Sequence, residues 1–345
     1  MYASKIPSRT VNINAKEHLF FGGTAYLGIH ARPEFGALVK EGIELYGTNY
    51  GASRLGNVPV PVFEEAEKKI ENWLDAPSAL MVSSGTLAGR LMLEALGDIY
   101  YFHYGSNAHI AINSSFKKNQ AEHFNCSIEE TLDYIHLTNH DHHVITFNTV
   151  DALTATSPSL DWITRLPKNK KVVLIVDDSH GIGILGDSGR GLYQKIKSLH
   201  RDTIMISSLG KAMGLPAGVI VGPAEYIALA RSHPLFGGSS PMVPAYAYAF
   251  TRADQIYDSA LLQLKENISY FHNIIKSKDL FRYLEGFPVF CTDRQDLAAY
   301  LEFHEIIIPH FAYPGPKNKV YTRVIINALH TPSDLEKLGT LCNQF

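Results

Sequence analysis

Two residues with complementary chemistry follow apolar segments of this sequence. Asp177 comes directly after the apolar run 172–176, and Lys211 follows a second apolar segment and lies among small residues. A poorly solvated lysine has a lowered pKa, which makes its amine a competent nucleophile. A carboxylate at a strand end can hold a protonated pyridine nitrogen. A Schiff-base lysine and such a carboxylate are the two protein groups that pyridoxal phosphate chemistry requires.

Two further segments fit the same cofactor. The run Ser84-Gly85-Thr86 stands between a predicted strand and a predicted helix, where backbone N–H groups can bind a phosphate. His109 follows the next predicted strand and can stack on a flat ring. Each feature alone has a simpler explanation, such as a surface lysine, a turn, a helix cap or a hydrogen-bonded histidine. Their order and spacing together favour a cofactor site.

A glycine-rich turn offers a competing interpretation. Gly181, Gly183 and Gly186 form a GxGxxG pattern after the strand, as in dinucleotide-binding folds. However, Asp177, Asp178 and His180 stand between the strand and the first glycine, and the two acids would repel a pyrophosphate. No acidic residue follows a second strand at the distance that would bind a ribose. The sequence therefore disfavours a dinucleotide.

The elements around these residues predict an α/β fold with a mostly parallel sheet. Apolar segments that read as strands alternate with helical segments up to about residue 240. The helical segments include 61–76, where Phe63, Ala66 and Ile70 share one face with Trp73 or Leu74. Beyond that point, long helices (244–276) precede short strands and a final helix, which predicts a second, smaller α+β unit.

Composition excludes several classes of protein. The 345 residues carry a formal net charge of −3 without a basic block, which argues against nucleic acid as a partner. Three scattered cysteines do not suit a disulfide framework. No signal-like segment and no run of eighteen apolar residues occurs, so we expect a cytoplasmic protein without a membrane partner. The histidine-rich segment 136–144 is interpreted as a solvated loop, and no metal site is predicted.

Four stretches of the chain resemble the fold-type I pyridoxal-phosphate enzymes, and among them the α-oxoamine synthase family. They are 46–89, 176–191, 207–223 and 322–331, of which VDDSHGIGILGDSGRG is the most specific. The resemblance implies a large cofactor-binding domain over 46–235. It also implies a small domain made of 1–45 and 236–345.

The resemblance also implies roles for individual residues. Lys211 would form the Schiff base and, with Asp177 and His109, belong to the catalytic group. Asp177 would pair with the pyridine nitrogen, His180 would reach the ring hydroxyl oxygen, and His109 would stack over the ring. The remaining cofactor contacts fall on Ser84, Gly85, Thr86 and Ser208, and on Ser239 through the neighbouring subunit, because family members are homodimers.

Arg323 resembles the arginine that grips the amino-acid carboxylate in this family. In the predicted strand TRVIIN it shares a face with Ile325, opposite Val324. An arginine among apolar neighbours requires an anion, because an unpaired buried charge is costly. That anion is either a local Asp or Glu, or the carboxylate of a substrate.

The implied activity is the condensation of a small amino acid with an acyl-CoA thioester. Three family motifs differ here. Ala25 replaces the Asn of Asn-Tyr-Leu-Gly, GASRLGNVPV (51–60) replaces a Ser-Gly-Thr pattern, and 148–156 replaces a Ser-Met-Asp-Gly-Asp motif. The alternatives are an aminotransferase, or an amino-acid decarboxylase or lyase, that uses no acyl-CoA. A non-catalytic scaffold subunit is disfavoured because Lys211 and Asp177 are both present.

Overall fold

A computed structural model describes residues 2–113 and 127–345. The strands are β1 (Thr10–Ile13), β2 (Lys16–Phe20), β3 (Ser78–Val82), β4 (Tyr101–Tyr104), β5 (His142–Asn148), β6 (Lys171–Asp177), β7 (Thr203–Ser208), β8 (Gly218–Gly222), β9 (Arg282–Tyr283), β10 (Val289–Thr292), β11 (Ile306–Ile307), β12 (His310–Ala312) and β13 (Val320–Ile325).

The helices alternate with the strands up to β8 and then dominate. They are α1 (Pro33–Tyr46), α2 (Val62–Leu74), α3 (Gly85–Leu96), α4 (Ile128–Leu137), α5 (Tyr193–Leu199), α6 (Ala224–Ser232), α7 (Pro234–Gly238), α8 (Pro244–Arg252), α9 (Asp254–Ile274), α10 (Asp296–Phe303) and α11 (Pro332–Gln344). In the described ranges, none of these helices is both long enough and apolar enough to cross a membrane.

The main sheet has six strands in the order β3-β8-β7-β6-β5-β4. Strands β4 to β7 pair in parallel, and β8 is antiparallel to both of its neighbours. This arrangement confirms the predicted α/β fold with a mostly parallel sheet. The carboxyl ends of β5 and β6 meet where Asn148 pairs with Asp177. Polar residues that follow these strands are therefore collected at one edge.

Burial follows the sequence patterns closely. All but one of the residues in β6 are buried, as expected for a central strand covered on both faces. In α2, Phe63, Ala66, Ile70 and Leu74 are buried, while Trp73 is only half-buried. The 3.6-residue period of this helix therefore identified the face that packs on the core.

Within residues 2–113 and 127–345, two smaller sheets occur besides the main one. One has the order β12-β13-β10-β9, and the other has the order β1-β2-β11, in which β2 pairs in parallel with β11. The N-terminal segment is thus joined to the C-terminal part of the chain by strand pairing. The division into a 46–235 domain and a second domain of 1–45 plus 236–345 stays a prediction.

The long helices predicted over 244–276 are α8 and α9, and Ala253 lies between them outside the helical backbone. One expectation needs correction. His143 does not lie in a solvated loop, since it is the second residue of β5 and is fully buried. Its Nδ1 lies 3.1 Å from His103 Nε2 on the adjacent strand, so sheet pairing accounts for its burial.

Candidate active site

Lys211 begins a chain of three hydrogen-bonding groups. Its Nζ lies 2.9 Å from Nε2 of His180, and Nδ1 of His180 lies 2.9 Å from the hydroxyl of Tyr26. Tyr26 is fully buried, whereas Lys211 and His180 are half-buried. The structure therefore brings together two of the predicted residues and adds a third. Tyr26 was not predicted as a site residue, because 154 positions separate it from His180 in the sequence.

The surroundings favour neutral forms of the first two groups. Burial lowers the pKa of the Lys211 amine, an effect that the negative charge of Asp177 opposes. Burial also holds the pKa of His180 well below its usual value, and the nearby positive charges of Lys211 and Arg323 lower it further. An unprotonated lysine amine has a free electron pair, so a lower pKa increases the nucleophilic fraction of Lys211.

Asp177 lies at the carboxyl end of β6, facing His109. Only 7% of its surface is exposed, and its Oδ1 accepts a hydrogen bond from the Ser179 N–H at 2.9 Å. Its Oδ2 lies 3.8 Å from Nδ1 of His109. Burial lowers the pKa of His109, and the Asp177 carboxylate opposes that effect. The predicted ring-stacking histidine and the predicted carboxylate thus lie next to each other.

Asn148 orients the loop that carries His109. Its side-chain oxygen accepts the His109 N–H at 3.0 Å, and its Nδ2 donates to the carbonyl of Asn107 at 2.5 Å. Because Asn148 pairs with Asp177 in the sheet, it fixes this loop relative to the carboxylate. Asn148 was not among the predicted site residues, although a polar residue at the end of a buried strand is a usable signal.

The glycine-rich turn packs around Asp178. This carboxylate is fully buried, and it accepts hydrogen bonds from the Thr149 hydroxyl and from the Leu192 N–H. A Cβ added to Gly181 or Gly191 would lie only 2.1 or 1.9 Å from an oxygen of Asp178. Burial raises the pKa of Asp178 to about 7. These glycines are explained by the space that Asp178 requires, without a bound nucleotide.

The residues predicted to bind phosphate lie at the start of α3. Ser84 caps this helix, with its Oγ accepting the Leu87 N–H at 3.1 Å, and both Ser84 and Thr86 are exposed. A Cβ on Gly85 would lie 2.7 Å from Ser208. The Ser208 N–H in turn donates to the Ser179 hydroxyl at 2.7 Å. The helix N-terminus is thereby joined to the segment that carries Asp177 and His180.

Arg323 is buried on β13. Its Nη1 donates to the Ala152 carbonyl at 2.5 Å, and its guanidinium lies 5.3 Å from the centre of the Phe311 ring. Among the described residues, its buried Nε has no hydrogen-bond partner. No carboxylate lies within ion-pair distance of Arg323 in residues 2–113 and 127–345. The alternative of a local Asp or Glu therefore finds no support.

Ser239 follows α7, and its hydroxyl donates to the Leu235 carbonyl at 2.5 Å. The same segment is joined to the 47–60 loop, because the Ser53 hydroxyl donates to the Gly237 carbonyl at 2.8 Å. These bonds hold the two loops together within one chain. The role of Ser239 at the cofactor of a neighbouring subunit stays a prediction.

Comparison with known proteins decides the family. The model of the family described as aminotransferase class I and II matches residues 25–340. The chain belongs to this family. Its position as a fold-type I member related to the α-oxoamine synthases is likewise confirmed.

Curated proteins match the chain over nearly its whole length. The 8-amino-7-oxononanoate synthase of Buchnera aphidicola is 25% identical, over 96% of this chain and 90% of that protein. The serine palmitoyltransferase of Bacteriovorax stolpii is 24% identical, over 94% of this chain and 82% of that protein.

Solved structures show the same family fold. The serine palmitoyltransferase of Sphingomonas wittichii matches with a TM-score of 0.85 and 17% identity, covering 99% of this chain and 91% of that one. The 8-amino-7-oxononanoate synthase of Francisella tularensis matches with a TM-score of 0.71 and 20% identity, covering 95% and 97%.

Proposed function

We propose that this chain is a pyridoxal-phosphate-dependent C-acyltransferase that condenses a small amino acid with an acyl-CoA. The observation that carries the proposal is the position of Lys211. Its half-buried amine lies 2.9 Å from His180, next to the segment that carries Asp177. The names of the curated relatives, 8-amino-7-oxononanoate synthase and serine palmitoyltransferase, support acyl transfer among the reactions of the family.

The residues present fit this cofactor. Ser84, Gly85 and Thr86 would hold the phosphate at the start of α3, a helix of 12 residues, where N–H groups favour an anion. Ser208 would lie beside them, since its backbone contacts the position of Gly85 so closely that only glycine fits there. Asp177 would hold the pyridinium nitrogen, His109 would cover one face of the ring, and His180 would reach the ring hydroxyl oxygen.

The chemistry of the bound cofactor is electron withdrawal, which stabilises negative charge at the α-carbon of the amino acid. Asp177 supports it because an opposite charge within hydrogen-bond reach favours the protonated pyridine nitrogen. Lys211 would link covalently to the cofactor and, once displaced by the substrate amine, would take the α-proton. Its lowered pKa suits both roles, since each requires an unprotonated amine.

Arg323 would orient the amino acid. Its guanidinium is buried without a local carboxylate in the described ranges, and its Nε is unpaired. A substrate carboxylate would supply the missing anion through a bidentate, charge-assisted pair. The contact to the Ala152 carbonyl uses only Nη1, so other donors stay available.

The active form would be a homodimer with its sites at the subunit interface. The 236–242 segment is rich in glycine and serine, and it is fixed through Gly237 to the 47–60 loop. Two exposed apolar side chains of that loop, Leu55 and Val58, offer surface that a second subunit would cover. A cytoplasmic location stays a prediction.

A titration experiment tests the proposed reaction. The purified protein with pyridoxal phosphate is mixed with single small amino acids, first alone and then with acyl-CoA thioesters, and release of free CoA thiol is measured. We expect thiol release that requires both substrates. Amino-group transfer or CO₂ release without any acyl-CoA requirement would instead support the aminotransferase or decarboxylase alternatives.

A further inference from the structure

The contact between Tyr26 and His180 bears on which ring nitrogen of His180 carries the hydrogen. A neutral histidine has one protonated nitrogen and one acceptor nitrogen, and the neighbours decide which is which. Here each ring nitrogen has one neighbour at 2.9 Å, the Tyr26 hydroxyl at Nδ1 and the Lys211 amine at Nε2. The hydrogens along this chain can therefore be arranged in two ways.

In the first arrangement the Lys211 amine, whether charged or neutral, donates to Nε2, and Nδ1–H of His180 donates to the Tyr26 oxygen. The hydroxyl hydrogen of Tyr26 then has no acceptor, because this side chain has no hydrogen-bond partner besides His180 in the described part of the chain. Tyr26 is 0% exposed, so its hydroxyl is shielded from bulk water. A buried donor without a partner is unfavourable.

In the second arrangement the Tyr26 hydroxyl and both ring nitrogens of His180 have partners. The Tyr26 hydroxyl donates to Nδ1, and Nε2–H of His180 donates to the electron pair of a neutral Lys211. Burial raises the pKa of Tyr26, so its hydroxyl keeps the hydrogen that it must donate. The edge of the Tyr26 ring also packs against Phe287, with ring centres 5.9 Å apart, which holds the hydroxyl in place.

We infer that Tyr26 is a positioning residue that keeps His180 in the tautomer protonated at Nε2, so that His180 presents a hydrogen-bond donor to Lys211 and to the cofactor beside it. This inference rests on the proposed function for the meaning of the donor. The tautomer itself is a property of this chain alone.

The test is nitrogen NMR on the full-length protein with ¹⁵N-labelled histidine, with and without pyridoxal phosphate. His180→Gln identifies the His180 signals by their loss. We expect the wild type to show neutral His180 protonated at Nε2. In Tyr26→Phe the ratio of Nε2-protonated to Nδ1-protonated His180 should fall by about 5-fold or more, since the hydrogen bond from the Tyr26 hydroxyl to Nδ1 is lost.

Tyr257→Phe is the matched control. Tyr257 is also a buried tyrosine close to the site, and its hydroxyl donates to the Met213 carbonyl at 2.9 Å without contacting His180. It should leave the His180 signals unchanged. An Nδ1-protonated His180 in the wild type, or an unchanged tautomer ratio in Tyr26→Phe, would overturn the inference.

A separate readout keeps the proposed function apart from this inference. Cofactor affinity of the wild type is measured by absorbance on the same samples. If the protein binds the cofactor but His180 is protonated at Nδ1, only the role of Tyr26 is rejected. The expected tautomer without cofactor binding would reject only the proposed function.

Discussion

The Oδ2 atom of Asp177 lies 3.8 Å from Nδ1 of His109, and the two residues reach this distance from different strands of the sheet. Asp177 ends β6, and His109 follows β4 on a loop that Asn148 of β5 holds by its amide. Three parallel strands thus cooperate to place one carboxylate and one imidazole. Their carboxyl ends form the edge at which the proposed cofactor would bind.

Replacing Asp177 by Asn should separate catalysis from binding. The amide keeps the shape but loses the charge that favours a protonated pyridine nitrogen. We expect the exchange rate of the substrate α-proton with solvent to fall far more than the affinity for pyridoxal phosphate. Proton exchange is followed by NMR and affinity by absorbance. Equal losses in both would mean that Asp177 mainly supports the fold.

Changes at Asn148 should act through His109. Asn148→Ala removes both the acceptor for the His109 N–H and the donor to Asn107, each worth about 1 kcal/mol. We expect weaker cofactor binding with little change in thermal stability. Asn148→Asp keeps the acceptor and should lose less affinity. Equal loss of cofactor affinity in the two variants would mean that the hydrogen bond from the His109 N–H to Asn148 does not control cofactor binding.

Arg323→Ala should weaken amino-acid binding and leave cofactor binding intact. Loss of a charge-assisted pair costs about 2–3 kcal/mol, or roughly 30- to 150-fold in the dissociation constant. Arg323→Lys should not restore full affinity, because an ammonium group lacks the planar fork. The measurement is the absorbance change of the cofactor-loaded protein on titration with small amino acids.

The control for Arg323 lies in the same sheet. Arg282 on β9 is paired with Asp293 near the surface, so Arg282→Ala should leave amino-acid binding unchanged. Unchanged dissociation constants in Arg323→Ala would place the substrate carboxylate elsewhere.

Gly181→Ala should destabilise the protein. The new Cβ would lie 2.1 Å from Oδ1 of the buried Asp178, a separation that forces the turn or the carboxylate to move. We expect a loss of about 1–3 kcal/mol, as for other overpacked sites. Gly36 lies in α1 with nothing within 4 Å of an added Cβ, so Gly36→Ala should be neutral or stabilising. Thermal unfolding of both variants measures this difference. Equal melting temperatures would mean that the space beside Asp178 does not require glycine at position 181.

The sequence predicted the parts of the site that depend on local pattern. Local pattern identifies Asp177, Lys211 and Ser84, because each lies at or soon after the end of an apolar segment that predicts a strand. The carboxyl ends of parallel strands meet at one edge of the sheet, so these residues are expected to lie close together. Tyr26 could not be found in this way, since its contact with His180 joins distant parts of the chain. His143 was misplaced because its burial depends on pairing with β4, which local polarity does not reveal.

The identity of the lysine that carries the cofactor tests the proposed site most directly. The protein is loaded with pyridoxal phosphate, reduced with borohydride, digested and mapped by mass spectrometry. We expect the reduced cofactor on Lys211 and no label on Lys211→Ala. A label on another lysine in the wild type, or a labelled Lys211→Ala protein that still consumes amino acid and acyl-CoA, would contradict the proposed site.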